Sequence, residues 1–318
     1  MDSGILDVDL LAFERGDQSR RQAVVDGVMR SLATGFVFTS SDLPAALLDD
    51  TYGLLERFFA LDAATKAQWH VPGASGQSGY TGVLVETAAG SDHADWKEML
   101  NWGLPLPGHH PLRRRYPLFY PEPCLPEGAV PGITAVLETF HRTIADLQRR
   151  FLRVVALGLG VAESFFDTVV EDAPTLTRAI RYPPMAGAPS AAHVWAAAHA
   201  DINLITALPR ATAAGLEVQI EGQWQPVTPP AGQVILNAGL MLERLSNGLV
   251  SAGWHRVVAS PGFGDARLSV VQFCHARPWV SLGPLASCCS ADRPQRWPAI
   301  TAADALEEVL FQIRLLQP

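Results

Sequence analysis

The strongest constraint on the fold lies after residue 175, where short β-prone runs follow one another with turn residues between them. They are Leu176 to Tyr182, Asn203 to Leu208, Leu216 to Ile220, Trp224 to Val227, Gln233 to Asn237, Trp254 to Ala259 and Arg267 to Cys274. Strands of a parallel α/β sheet would alternate with helical patterns of about 10–15 residues, and none intervenes here. The spacing predicts antiparallel strands in a β-sandwich or jelly roll.

The first half of the chain reads differently. Val24, Val28, Met29 and Leu32 recur at helical spacing from Asp17 to Leu32, and Gly35 stops the helix before the short β-like run Phe36-Val37-Phe38. A second helix carries Leu47, Tyr52, Leu54, Leu55, Phe58 and Phe59 after a cap region at Ser40-Ser41-Asp42. Gly73 to Gly79 reads as a flexible surface loop, and the proline-rich stretch from Pro105 to Pro131 as a long connection. Ile133, Val136, Leu137, Phe140, Ile144, Leu147, Phe151 and Val154 then form a long helical stripe ended by Gly158 and Gly160. A last helix spans Ala302 to Leu316. The expected class is α+β. Residues 1–120 form a helical N-terminal region with a few strands. Residues 121–318 supply the long helix, the jelly-roll core and a C-terminal helix, all in one integrated unit.

Within the β region, His199-Ala200-Asp201 places two potential metal ligands at i and i+2, on one face of an extended strand. A third, His255, lies in the apolar run Ala252 to Val258, a candidate facing strand. Two imidazoles and a carboxylate on one face of an octahedron suit Fe(II), with three positions left open; structural zinc prefers a closed tetrahedron. An H-x-D pair alone is common by chance. The other histidines, His70, His93, His109, His110, His141 and His275, read as loop or helix-surface residues, while His193 lies just upstream of the metal strand. Arg267-Leu268-Ser269 repeats the i, i+2 geometry, aiming a guanidinium and a hydroxyl the same way, a pairing suited to a carboxylate. Tyr182 can add a phenol from another strand.

The order of these pieces resembles the isopenicillin N synthase-like branch of the 2-oxoglutarate and Fe(II)-dependent dioxygenases. The matching text is Arg181-Tyr182-Pro183-Pro184, His199 to Thr206, Gly215 to Val218, Trp224 to Val227, Ser246-Asn247-Gly248, His255-Arg256-Val257 and Arg267-Leu268-Ser269. Gly35-Phe36-Val37, Gly79-Tyr80 and Asp95-Trp96-Lys97-Glu98 extend it, more loosely, into the N-terminal half. The resemblance implies a distorted double-stranded β-helix core with Fe(II) on His199, Asp201 and His255. It also implies 2-oxoglutarate as co-substrate on Arg267 and Ser269, with dioxygen as oxidant. The outcome would be hydroxylation, desaturation or cyclisation of an amino acid, peptide or natural-product intermediate, with succinate and carbon dioxide as co-products. One departure stands out: the family commonly shows Gly-Asp after the asparagine, where this chain has Gly239-Leu240. Tyr80, His193, Trp195, Asn203 and Ile205 are the candidate substrate contacts. The alternatives are an oxidase of the same branch that needs no 2-oxoglutarate, and a non-catalytic cupin-like metal binder.

Bulk properties narrow the partners. A net charge of −8, with no basic cluster denser than Arg113-Arg114-Arg115, argues against nucleic acid or an anionic membrane. A small-molecule substrate fits, and no obligate protein partner is evident. No basic, apolar leader opens the chain, no apolar run reaches membrane-spanning length, and Cys124, Cys274, Cys288 and Cys289 follow no disulfide or C-x-x-C spacing. The cytoplasm is therefore expected. Lysine only at Lys66 and Lys97, among abundant Ala, Gly and Pro, indicates GC-rich coding and a bacterial source.

Overall fold

The computed structural model describes residues 4–88, 91–103, 106–260, 263–313 and 315. The helices, in chain order, are α1 (Leu10–Arg15), α2 (Gln18–Leu32), α3 (Ala45–Phe59), α4 (Ala63–Ala67), α5 (Pro111–Arg115), α6 (Ile133–Gly158), α7 (Phe165–Val170), α8 (Leu240–Leu245) and α9 (Ala302–Gln312). The strands are β1 (Asp7–Val8), β2 (Phe36–Thr39), β3 (Gly79–Thr81), β4 (Glu98–Trp102), β5 (Leu176–Tyr182), β6 (Ala196–His199), β7 (Ile205–Ala211), β8 (Leu216–Ile220), β9 (Gln223–Pro226), β10 (Val234–Ala238), β11 (His255–Val257) and β12 (Arg267–Cys274).

Among the described residues the strands form two sheets, one of eight in the order β1-β2-β10-β7-β12-β5-β4-β3 and one of four in the order β6-β11-β8-β9. Apart from the β1–β2 pair every ladder is antiparallel, as the short evenly spaced runs predict. The sheets face each other as a jelly roll without closing into a barrel. The N-terminal half lengthens the large sheet at both edges, through β1–β2 and β4–β3.

Strand alternation divides the large sheet's two faces. Leu268, Val270 and Cys274 of β12, Ala179 of β5, Ile205 and Ala207 of β7 and Leu236 of β10 join the core under α6 and the other helices. Their neighbours Ile180, Tyr182, Leu208 and Ile235 join a second core shared with Leu216, Val218 and Val257 of the small sheet. Helix α6 is held in register with the sheet by polar contacts as well: Gln148 Nε2 donates to the Ile205 and Gln272 carbonyls, and His141 Nδ1 lies 2.7 Å from Thr177 Oγ1. His141 is thus buried and not on the helix surface, because its face of α6 packs on the sheet.

Several expectations are adjusted. Asp17 caps α2 through Arg20 N–H, but Pro44 occupies the cap position of α3 with no side-chain hydrogen bond, so Ser40-Ser41-Asp42 do not serve it. The Gly73–Gly79 segment is folded down against the protein: Ala74 and Ser78 are buried, and Gly79 enters β3. The proline-rich connection contains α5, started by Pro111 at a position where its missing N–H costs nothing. Its first residue, Pro105, and the expected end of the last helix, Leu316, lie outside the described residues. The strand carrying the first ligand ends at His199, so Asp201 lies beyond it. No described helix is long and apolar enough to cross a membrane.

Burial sets an acid limit on the fold. His141, His199 and His275 are each pushed down to about 4, chiefly by burial, with a neighbouring positive group or imidazole adding to it. Each binds fewer protons folded than unfolded, so its contribution is present above the ordinary histidine value and is lost as pH falls from about 6.5 toward 4. The metal-free protein is expected to show a steep drop in Tm across that window. A flat profile between pH 6.5 and 4 would contradict this burial.

Candidate active site

His199, Asp201 and His255 converge between the two sheets, their ligand atoms all within 4.8 Å of one another. The convergence follows from register: His255 on β11 pairs directly with His199 on β6, and their rings sit 4.4 Å apart. Asp201, past the end of β6, turns its carboxylate back so that Oδ1 is 3.8 Å from His199 Nε2.

Hydrogen bonds fix which atom of each ligand is left free. His199 Nδ1 lies 2.8 Å from the Ala197 carbonyl and His255 Nδ1 lies 2.9 Å from the Gly253 carbonyl. A carbonyl only accepts, so both rings carry their proton on Nδ1 and present the Nε2 lone pair. Asp201 Oδ2 accepts from Thr206 Oγ1 at 2.6 Å and Asn237 Nδ2 at 2.9 Å, leaving Oδ1 to face the imidazoles. Burial alone would raise the Asp201 carboxyl; the two imidazoles and these two donors outweigh it and hold it below the usual carboxylate range. The set is two neutral imidazoles and one anionic oxygen, with the rest of the coordination sphere open, which fits Fe(II).

Two glycines make this approach possible. A Cβ on Gly35, whose φ is +86°, would sit 2.5 Å from the Gly253 Cα, and one on Gly253 would meet Phe36 and the Gly35 carbonyl. Only with both bare can the backbone before β2 pack against the backbone before β11.

The triad opens onto a cavity of about 250 Å³. Its floor is the large sheet, whose adjacent strands β12 and β5 pair Arg267 with Tyr182 and Ser269 with Ile180. Every second residue of β12, from Arg267 through Ser269 and Val271 to Phe273, lines the cavity, and His275 just beyond the strand continues the file. Arg267 is 2% exposed. Its Nε donates to the Ala213 carbonyl and one terminal nitrogen to Ser269 Oγ at 3.1 Å, and its guanidinium lies 5.1 Å from the Tyr182 ring centre. Among the described residues it has no carboxylate partner. A buried guanidinium without a counter-ion is costly, and the donors it still offers suit a ligand carboxylate.

The five expected substrate contacts lie elsewhere; none lines the cavity. Tyr80 donates to Glu98 at 2.6 Å and packs on Phe58. His193 pairs with Ser190. Trp195 is fully buried with its indole N–H on the Pro183 carbonyl; the tryptophan on the cavity wall is the half-exposed Trp254. Asn203 Nδ2 donates to Ile205 and Thr206, and Ile205 faces the helices. Sequence reasoning missed Thr206 and Asn237, each a polar residue flanked by apolar ones in its strand. It also missed His275, which is 3% exposed and not in a polar loop. At the departure from the family pattern, Leu240 starts α8 and contributes an apolar patch to the cavity wall.

Replacing Thr206 by valine removes one donor from Asp201 with little change in volume. It is expected to weaken Fe(II) binding about 10–100-fold, as loss of outer-shell support typically does. Anaerobic Fe(II) titration measures it, and unchanged affinity would show that Asn237 alone orients the carboxylate.

Comparisons with known proteins agree with this architecture. Residues 6–123 match the model of the non-haem dioxygenase in morphine synthesis N-terminal family, and residues 174–276 that of the 2OG-Fe(II) oxygenase superfamily. Leucoanthocyanidin dioxygenase 1 of Oryza sativa subsp. japonica is 30% identical, over 90% of this chain and 76% of its own length. A 2OG-Fe(II) oxygenase family protein from Caulobacter crescentus superposes with a TM-score of 0.84 at 32% identity, over 97% of this chain and 99% of that one. A full-length Neurospora crassa protein, solved in complex with alpha-KG, shares the fold at a TM-score of 0.83 and 22% identity, over 98% of this chain and 97% of its own. With a facial His-Asp-His triad between two jelly-roll sheets and relatives matched along nearly its whole length, the chain belongs to the 2OG-Fe(II) oxygenase superfamily, dioxygenases that use Fe(II), 2-oxoglutarate and dioxygen.

Proposed function

We propose that this protein oxidises a C–H bond of a small molecule held in the far half of the cavity, with Fe(II) on His199, Asp201 and His255 and the distal carboxylate of 2-oxoglutarate on Arg267 and Ser269. The observation that carries this reading is the buried, anion-free guanidinium of Arg267 on the same cavity as an open metal face. An oxidase of the same branch that needs no 2-oxoglutarate would set its substrate's own carboxylate there, and the dependence of turnover on 2-oxoglutarate separates the two.

Fe(II) and 2-oxoglutarate, when bound, supply the dioxygen activation and the oxidising power. The chain's own residues position and shield. His199 and His255 offer neutral Nε2 donors because the Ala197 and Gly253 carbonyls hold their Nδ1 protons. Asp201 stays anionic because Thr206 and Asn237 donate to it. Arg267, held by Ala213 and Ser269, fixes where a carboxylate can sit, with the Tyr182 ring beside it. Apolar side chains of α9, among them Leu306, Val309 and Leu310, line the cavity and limit water there. Whether the outcome is hydroxylation, desaturation or cyclisation depends on which substrate carbon these walls bring close. The test is anaerobic titration with Fe(II) and 2-oxoglutarate, followed by turnover in air. A weak visible charge-transfer band and succinate formation are expected, and product formation without 2-oxoglutarate would refute the reading.

A further inference from the structure

The end of the cavity away from Arg267 contains a side chain that the reaction as described leaves unused. His275 is 3% exposed, lines the cavity and makes no hydrogen bond to any described residue. Buried polar groups in folded proteins are nearly always paired, and leaving one unpaired is costly, so an imidazole kept in this state points to a partner that comes and goes.

The charges around it define that partner. Lys97 Nζ contacts Glu86 at 2.5 Å and Asp95 at 2.8 Å, and Arg178 reaches the other Glu86 oxygen at 3.1 Å. Two cations and two anions therefore neutralise one another, in contrast to the lone cation at the Arg267 end. His275 adds no charge, since burial, with Arg178 nearby, outweighs the opposing pull of the Asp201 carboxylate and pushes it down to about 4. A charged substrate group would meet no unbalanced opposite charge. The hydrogen-bonding capacity is mixed: the Arg178 guanidinium only donates, the Glu86 carboxylate only accepts, and a neutral imidazole does one at each nitrogen. Phe273, with the Arg178 guanidinium 5.4 Å from its ring centre, adds an apolar surface beside these groups.

Resting on the proposed function, we propose that this subsite takes a small uncharged substrate with an amide- or lactam-like edge, whose carbonyl and N–H are read by His275 together with Arg178 and Glu86. His275 is then a specificity-determining residue that touches substrate and leaves metal and 2-oxoglutarate binding untouched.

The experiment uses the anaerobic protein loaded with Fe(II) and 2-oxoglutarate, titrated with three probes followed by ligand-observed NMR and by the chelate's visible band. Glutarimide offers the full edge, N-methylglutarimide blocks its N–H, and glutaramate is the ring-opened anion. Glutarimide is expected to bind at least about tenfold more tightly than either of the others. The His275→Phe variant should lose that preference, and His275→Gln should recover part of it, while the visible band forms equally in all three proteins. Equal binding of the three probes, no binding of any, or a preference unchanged in His275→Phe would overturn the assignment, with the visible band still intact. Failure of the visible band in the unmodified protein would instead refute the proposed function, and this assignment with it.

Discussion

Replacing Arg267 by leucine is expected to raise the apparent KM for 2-oxoglutarate by about 10²-fold. Truncating one partner of a buried charge-assisted pair costs about 2–5 kcal/mol, and each 1.4 kcal/mol is a factor of ten. The metal-free variant should keep a Tm near that of the parent, because the guanidinium it loses has no carboxylate partner among the described residues. Ser269→Ala removes a single hydrogen bond and should cost about tenfold. The graded pair is informative: equal, small effects would mean that the carboxylate sits elsewhere.

The second large effect concerns the metal itself. In His255→Ala the Nε2 donor disappears, together with the bond to the Gly253 carbonyl, an edge contact with Phe36 and the ring contact with His199. Fe(II) retention should fall by more than the roughly 10–100-fold typical of outer-shell changes, and succinate formation should fall with it. Anaerobic Fe(II) titration beside a turnover assay separates the two. Stoichiometric iron at unchanged affinity in the variant would remove His255 from the ligand set.

Much of this was legible in the sequence because strands write their inward face at every second residue. Leu176–Tyr182, Leu216–Ile220 and Arg267–Cys274 have the bounds that hydrophobicity predicts; Arg267 and Ser269 share one face of β12, and the triad comes together, although Asp201 reaches it from beyond the end of β6 and not along the strand. What could not be read was which face of each strand meets the cavity. Ile205 and Asn203 are close to Asp201 along the chain, yet pairing of β7 with β10 and β12 turns Ile205 toward α6 and brings Thr206 to the carboxylate. Aromatic character says nothing about direction either: Trp195 is buried in the second core, while Trp254 lines the cavity. His141 and His275 looked superficial because a polar residue at the edge of an apolar run reads as solvent-facing, and only the packing of α6 and the cavity show otherwise.

The single file along β12 has an evolutionary consequence. Its inner positions 267 and 269 and its outer positions 273 and 275 sit on one rigid rail, so the outer pair can be exchanged residue by residue while the inner pair keeps its place. An insertion or deletion of one residue within the rail would instead turn Leu268 and Val270 into the cavity and Arg267 or Ser269 toward the helices. Lineages descending from such a chain are thus free to retarget by point substitution at the outer end, but closed to retargeting by length change in this strand.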